Sequence, residues 1–297
     1  MTARPLLVSV GLPHNLPDVD PKTLLGWAVE AEELGFDGVG TTDRLVYRGY
    51  ESLLTLTAVA AVTSRIQVLT GVLIGPVHSN AALLAKQTAT LDRLSGGRLT
   101  LGLAVGARGD DYAASGVDHS TRGAALDAQL SELRRIWAGE RRGIAGSIGP
   151  TPVQPGGPPI LLGGQSPRAL RRVLEHGTGW ISGGAGPRAF AAGLQALAGL
   201  EERVGAAFAG PTAALAYVSL GAQAEAGADR FVQDYYGFAP PLAAMIRGQV
   251  LTTPEALDRE LGQFAELGCD QVVLVPCTPD RANLTRTADV ALGLPVG

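Results

Sequence analysis

The chain has only two cysteines in 297 residues, Cys269 and Cys277. Two thiols cannot build the disulfide framework of a secreted scaffold, and no secretory signature accompanies them, so a reducing, cytoplasmic setting is expected. No stretch approaches the roughly 20 apolar residues that span a bilayer, so no membrane segment is expected. The opening MTARPLLVSVGLP has an apolar run too short for a signal peptide and no small-residue cleavage site after it. Charge is sparse, at 18% of residues, and the net charge of -4 offers no basic footprint for nucleic acid. There is no HExxH or CxxC spacing for a metal, no GxSxG nucleophile elbow and no P-loop.

What the chain does have is 40 glycines and an alternation of strand and helix from end to end. LLVSVG (Leu6 to Gly11) reads as a buried strand. PKTLLGWAVEAEELG (Pro21 to Gly35) follows as an amphipathic helix, with Pro near its start and Gly at its end. DGVGTT, IQVLTGVLIG, RLTLGLAVG, PILLGG, GWISGG, TAALAYVSLG and DQVVLVPC supply the further strands. Helical stretches separate them: ESLLTLTAVAAVTS, SNAALLAKQTATLDRLS, RGAALDAQLSELRRIWAGE, SPRALRRVLEHG and PRAFAAGLQALAGLEERVG. Two more run from Glu225 to Tyr236 and from Pro254 to Leu267, and a short last one starts at about Asp280. ARGDDYAASGVDHST reads as a polar loop. Residues 139 to 159, dense in Gly and Pro, read as a long ordered loop inside one domain covering 1–297. Strands that are mostly apolar belong in a parallel sheet covered on both faces. Eight strand–helix units close most economically into a (β/α)8 barrel. An open doubly wound sheet would want a Gly-rich fingerprint after the first strand, and GLPHNLPDVD has none.

A barrel of this kind carries its chemistry where the strands end. Those ends hold His14, then Thr42, Asp43 and Arg44, then Gly71, Val72 and His78. After the fourth strand come Ala107, Arg108, Gly109, Asp110, Asp111 and His119. After the fifth come Gly163, Gly164, Gln165 and Ser166, and after the eighth Cys277. A loop histidine is often no more than solvated, and Cys277 has no adjacent His or cation to lower its pKa. The fifth-strand turn is more specific. A buried strand ends in Gly163-Gly164, and Ser166-Pro167 opens a helix, so backbone N–H groups converge on a helix N-terminus that suits an anion. An ordinary Ser-capped turn reads the same way. Arg108 is a candidate partner for a phosphate, or simply a surface ion pair to Asp110 or Asp111. An anion site without a metal or nucleophile motif points to a phosphorylated cofactor as the source of the chemistry.

AEELGFDGVGTTDR, SRIQVLTGVLIGPVHSNAALLAKQTATLDRLSGGRLTLGLAVG and PPILLGGQSPRALRRVLEHGTGW together resemble the bacterial-luciferase-like monooxygenase family. With RGAALDAQLSELRRIWAGE and LGCDQVVLVPC the resemblance covers nearly the whole chain. It implies a (β/α)8 barrel holding FMN, or the 8-hydroxy-5-deazaflavin coenzyme, at its C-terminal mouth. It implies a non-prolyl cis peptide in the third strand, which maps to Gly71-Val72. Ala107-Arg108-Gly109 is similar to the segment whose Arg meets the FMN phosphate, and Gln165-Ser166 stands at the phosphate turn. Both favour FMN. Asp43-Arg44 stands where family branches carry an active-site histidine. The expectation is therefore a flavin-dependent oxidoreductase: a two-component monooxygenase using O2, with reduced FMN from a separate reductase, acting on a small organic substrate. Arg44 would hold an anionic substrate, Asp43 would orient Arg44, and either His14 or His78 would handle the proton. The rival readings are a deazaflavin-dependent dehydrogenase, a non-catalytic flavin-binding barrel, and a metal-free barrel isomerase or lyase. The second and third helices, rich in Ala, Leu and Thr, are expected to form the face of a two-fold homodimer.

Overall fold

The computed structural model of the chain describes residues 5–176 and 178–293. The readings that fall on Met1 to Arg4, and on Gly177 as the end of the fifth helix, lie outside these residues. Eight parallel strands close into one barrel, each paired with its sequence neighbours and the last with the first. They are β1 (Leu7–Gly11), β2 (Gly38–Thr41), β3 (Gln67–Ile74), β4 (Leu99–Ala104), β5 (Ile160–Gly163), β6 (Gly179–Ser182), β7 (Thr212–Val218) and β8 (Gln271–Pro276). Helices α1 (Pro21–Leu34), α2 (Ser52–Val62) and α3 (Ala81–Leu94) wrap the first half. Closure settles the choice between barrel and open sheet, since each of the eight strands is paired on both sides.

Local chemistry sets the element ends. Asp20 accepts a hydrogen bond from Thr23 N at 3.0 Å to start α1, and Gly35 ends it in the left-handed conformation that suits glycine. Near that end, the Glu32 carboxylate accepts from the N–H groups of Ser64, Arg65 and Ile66 at 2.9, 2.6 and 2.8 Å. Partial burial would raise its pKa, but these three donors outweigh burial and hold it at about 2. One carboxylate thereby fastens α1 to the start of β3.

Inside the barrel a polar layer crosses the lower end. Gln271 Nε2 donates to Ser9 Oγ at 2.8 Å and to Gln67 Oε1 at 2.7 Å, while Gln67 Nε2 donates to Thr100 Oγ1 at 2.8 Å. Ser9, Gln67, Thr100 and Gln271 each meet another member of the layer, so it does not carry the cost of an unsatisfied side chain. The register of β3 against β4 shifts between Thr70 and Leu73, and the Gly71–Val72 peptide there is cis, as the family resemblance implies.

Three elements depart from the sequence reading. The segment read as a polar loop after β4 contains α4 (Gly109–Ser115), with Asp110 and Asp111 in its first turn and Gly116 closing it in the left-handed region. Acidic residues favour a helix N-terminus, and this outweighs their turn propensity. After α5 (Arg122–Trp137), the Gly/Pro-rich stretch folds part of itself into a small antiparallel pair, Arg141–Gly143 with Gly146–Ser147. The outer layer continues with α6 (Pro167–His176), α7 (Gly186–Val204) and α8 (Ala224–Tyr236). An unforeseen helix, α9 (Pro240–Arg247), follows, opened by a proline that needs no N–H partner there. The chain closes with α10 (Pro254–Glu266) and α11 (Arg281–Ala291). No helix among the described residues is long and apolar enough to cross a membrane.

Candidate active site

The C-terminal mouth has a floor of small and β-branched groups. A Cβ added at Gly163 would lie 3.1 Å from Ala104 Cβ and 3.4 Å from Val72 Cγ1, so the ends of β3, β4 and β5 meet without a bulky side chain between them. Beside this floor, Gly164 has φ of +116°, a conformation that favours glycine, and its carbonyl accepts from Trp180 Nε1 at 3.0 Å. Gln165 Nε2 donates to Ser182 Oγ at 3.1 Å and to Ala189 O at 3.2 Å. Ser166 Oγ accepts from Ala169 N at 3.2 Å, and residues 164–168 are exposed. The N-terminal end of α6, with no acid in its first turn, therefore faces solvent beside the floor, an arrangement that suits a phosphate or carboxylate.

The catalytic candidates separate into different surroundings. His78 Nε2 lies 3.0 Å from Asp43 Oδ2, which also accepts from Ile74 N at 2.9 Å. Burial would lower the His78 pKa, but the hydrogen bond and charge of Asp43 outweigh it and raise it. His14 is buried, with Nδ1 3.1 Å from Leu12 O and Nε2 2.7 Å from Thr42 O. Burial lowers its pKa despite those carbonyls. Both of its ring nitrogens face backbone, so His14 ties the loop after β1 to the end of β2.

Arg44 is not oriented by Asp43. Its Nε lies 3.6 Å from the Oδ2 of fully buried Asp111, and its Nη1 donates to Tyr235 O at 3.0 Å. The guanidinium sits among the rings of Tyr47, Tyr235 and Phe238, 4.7 Å from the Tyr235 centroid. Asp111 Oδ1 accepts from Leu45 N and Val46 N at 3.1 and 2.7 Å, so this carboxylate shapes the loop that carries Arg44. Arg108 reaches the same centre, with Nε 3.7 Å from Asp111 Oδ2. It also pairs with Asp110 and lies 4.2 Å below the Phe238 ring. Ala107 and Gly109 flank it, both exposed.

Sequence reasoning missed the roof of this site. Tyr235, Tyr236 and Phe238, at the end of α8 and just beyond it, lean over the mouth, and the Tyr236 hydroxyl pairs with that of buried Tyr217 from β7. The available signal was a run, DYYGF, in a chain with only 5% aromatic residues. Asp111 was also missed as a hub, because its partners lie more than 60 positions away in sequence, at Leu45 and Val46.

Residues 6–266 match the family model described as luciferase-like monooxygenase. Among curated proteins, the chain is 28% identical over 192 residues to the F420-dependent glucose-6-phosphate dehydrogenase of Amycolatopsis mediterranei, covering 59% of this chain and 57% of that one. The chain spans little more than half the length of such relatives. Among solved structures, an F420-dependent secondary alcohol dehydrogenase in complex with an F420-acetone adduct aligns with a TM-score of 0.79 at 16% identity, covering 98% of this chain and 99% of that one. The oxygenating constituent of 3,6-diketocamphane monooxygenase from Pseudomonas putida, a type II Baeyer-Villiger monooxygenase in complex with FMN, aligns with a TM-score of 0.71 at 17% identity, with both chains covered fully. At these identities the two structures show a shared fold.

Proposed function

Because the chain belongs to the luciferase-like monooxygenase family, whose members are flavin- or deazaflavin-dependent oxidoreductases, we propose that it is a reduced-FMN-dependent monooxygenase acting on a small organic molecule. A separate reductase is its proposed partner and O2 its second substrate. The observation that carries this reading is the open N-terminal end of α6 beside a floor of Val72, Ala104 and Gly163. The fit is good: the floor leaves a flat approach for a ring system, and the glycine turn exposes donors for a phosphate. Ser166, Gln165 and the Gly164 backbone would hold that phosphate, with Arg108 as a charged partner once released from Asp110. Bound there, reduced FMN supplies the two electrons needed to place one atom of O2 in the substrate and the other in water.

The protein's own groups do the rest. His78 holds a proton at Nε2, and Asp43 keeps that proton in place. Arg44 carries fixed positive charge within an aromatic cage that excludes water, and it cannot give up its proton. Ala107, small and exposed, would leave room beside the flavin. A second reading, a deazaflavin-dependent dehydrogenase, is favoured by the similarity to the Amycolatopsis enzyme. The test is incubation of the protein with reduced FMN, isotopically labelled O2 and a panel of small organic acids and ketones, read by mass spectrometry. The proposal expects label in an organic product. Turnover of the panel with reduced or oxidised deazaflavin, and no label in the product, would replace it with the second reading.

A further inference from the structure

A cavity of about 660 Å3 opens at the mouth between the loop after β1, the outer face of α8 and the end of β8. It lies to one side of the Val72–Ala104–Gly163 floor, and none of the cofactor candidates lines it. Its walls are mainly apolar, from Leu16, Pro17, Tyr47, Phe231 and Cys277, with Gln233 and Thr278 adding neutral polar groups. Burial pushes the Cys277 thiol pKa up, so this wall is neutral. The backbone of Cys277 is bonded to Val218, next to Tyr217 of the tyrosine roof, so the cavity borders the mouth rather than a distant surface.

The rim carries two charges. Asp234 is already engaged, by the Tyr47 hydroxyl and by Arg48 Nη2 at 3.1 Å. Arg230, also at the rim, has no ion-pair partner among the described residues. The cavity therefore offers aromatic and aliphatic walls with one uncommitted guanidinium at the edge. A volume of this order suits a small-molecule ligand. A guanidinium beside apolar walls selects a planar oxyanion on an apolar body.

We propose that this cavity binds the organic substrate and that it takes a ring-bearing, otherwise apolar carboxylate, with Arg230 pairing the carboxylate and Tyr47 and Phe231 meeting the rings. This rests on the proposed function only for the word substrate; the binding itself needs no flavin. Placing the anion at the outer rim leaves the apolar end of the ligand directed inward, towards Cys277 and the mouth.

The experiment is a fluorescence titration of the full chain, without flavin, with anthracene carboxylate and with neutral anthracene carboxamide. The carboxylate is expected to saturate the protein. Arg230→Gln should weaken it by roughly tenfold, the scale of one lost charge-assisted hydrogen bond. Arg230→Lys should restore most of the binding, and the carboxamide should bind both forms alike. Arg230 is exposed, so these variants do not disturb the core. Absence of saturable carboxylate binding, or an equal loss for carboxylate and carboxamide, would overturn the assignment. A parallel anaerobic titration with reduced FMN separates the two readings. Carboxylate binding without FMN binding supports the cavity and sinks the flavin reading, whereas FMN binding without carboxylate binding sinks the cavity alone.

Discussion

Asp43 sits 3.0 Å from the imidazole of His78, whereas His14 meets only backbone groups of Leu12 and Thr42. The two histidines therefore respond to pH in opposite senses. The raised folded pKa of His78 means that its pairing stabilises the protein fully below the ordinary histidine value. That contribution is lost as pH rises through the raised folded value. In Asp43→Asn the carboxylate is gone, burial dominates, and the His78 pKa should fall below the ordinary value. Imidazole titration by NMR reads this directly, and an unchanged His78 value would refute the pairing. Any activity that needs the protonated imidazole should lose its high-pH limb earlier in that variant. Both residues were legible in the sequence as strand-end groups. Their partnership was not, because 35 positions separate them. Arg44 illustrates the same limit: its neighbour Asp43 turns to another partner, and Asp111 takes its place.

Glu32 tests the account at the scale of elements, since it joins α1 to the start of β3 through three backbone donors. Its folded pKa of about 2 lies below the ordinary glutamate value, so its contribution is present above about pH 4.5 and is lost as pH falls towards 2. Glu32→Gln should cost about 1–2 kcal/mol at neutral pH, the lower part of the range for hydrogen bonds to a charged group because water reaches this carboxylate. The gap between variant and parent should close under acid. Denaturant melts at several pH values measure it, and a gap that stayed constant with pH would contradict the clamp. The barrel strands were readable because each is a short apolar run bounded by turn residues. Helices α4 and α9 were not, since their compositions, GDDYAAS and PPLAAMIR, begin with residues that also build turns. Neither has a side-chain N-cap; α9 packs against α8 and α4 against the turn after β3, contacts that a local reading does not contain.

For the whole molecule, the closed barrel was legible because the strand–helix alternation runs unbroken and the first turn lacks a dinucleotide fingerprint. Assembly is a separate question. Leu54 on α2 is 70% exposed and Leu83 on α3 is 51% exposed, with Val62 and Leu94 also open, so among the described residues no loop covers this apolar face. A two-fold homodimer through α2 and α3 is the expected outcome. Light scattering should give twice the chain mass at micromolar concentration, and Leu54→Glu should shift the protein towards monomer; a monomeric parent would rule the dimer out. The central claim, a flavin phosphate held at the α6 end beside Arg108, is tested most directly by anaerobic calorimetry of reduced FMN and reduced riboflavin, which lacks the phosphate, on the parent protein and on Arg108→Ala. The account predicts that FMN binds more tightly than riboflavin and than the deazaflavin coenzyme. It also predicts that Arg108→Ala weakens FMN by about tenfold or more while leaving riboflavin unchanged. Tighter binding of the deazaflavin, or an equal loss for FMN and riboflavin, would contradict it.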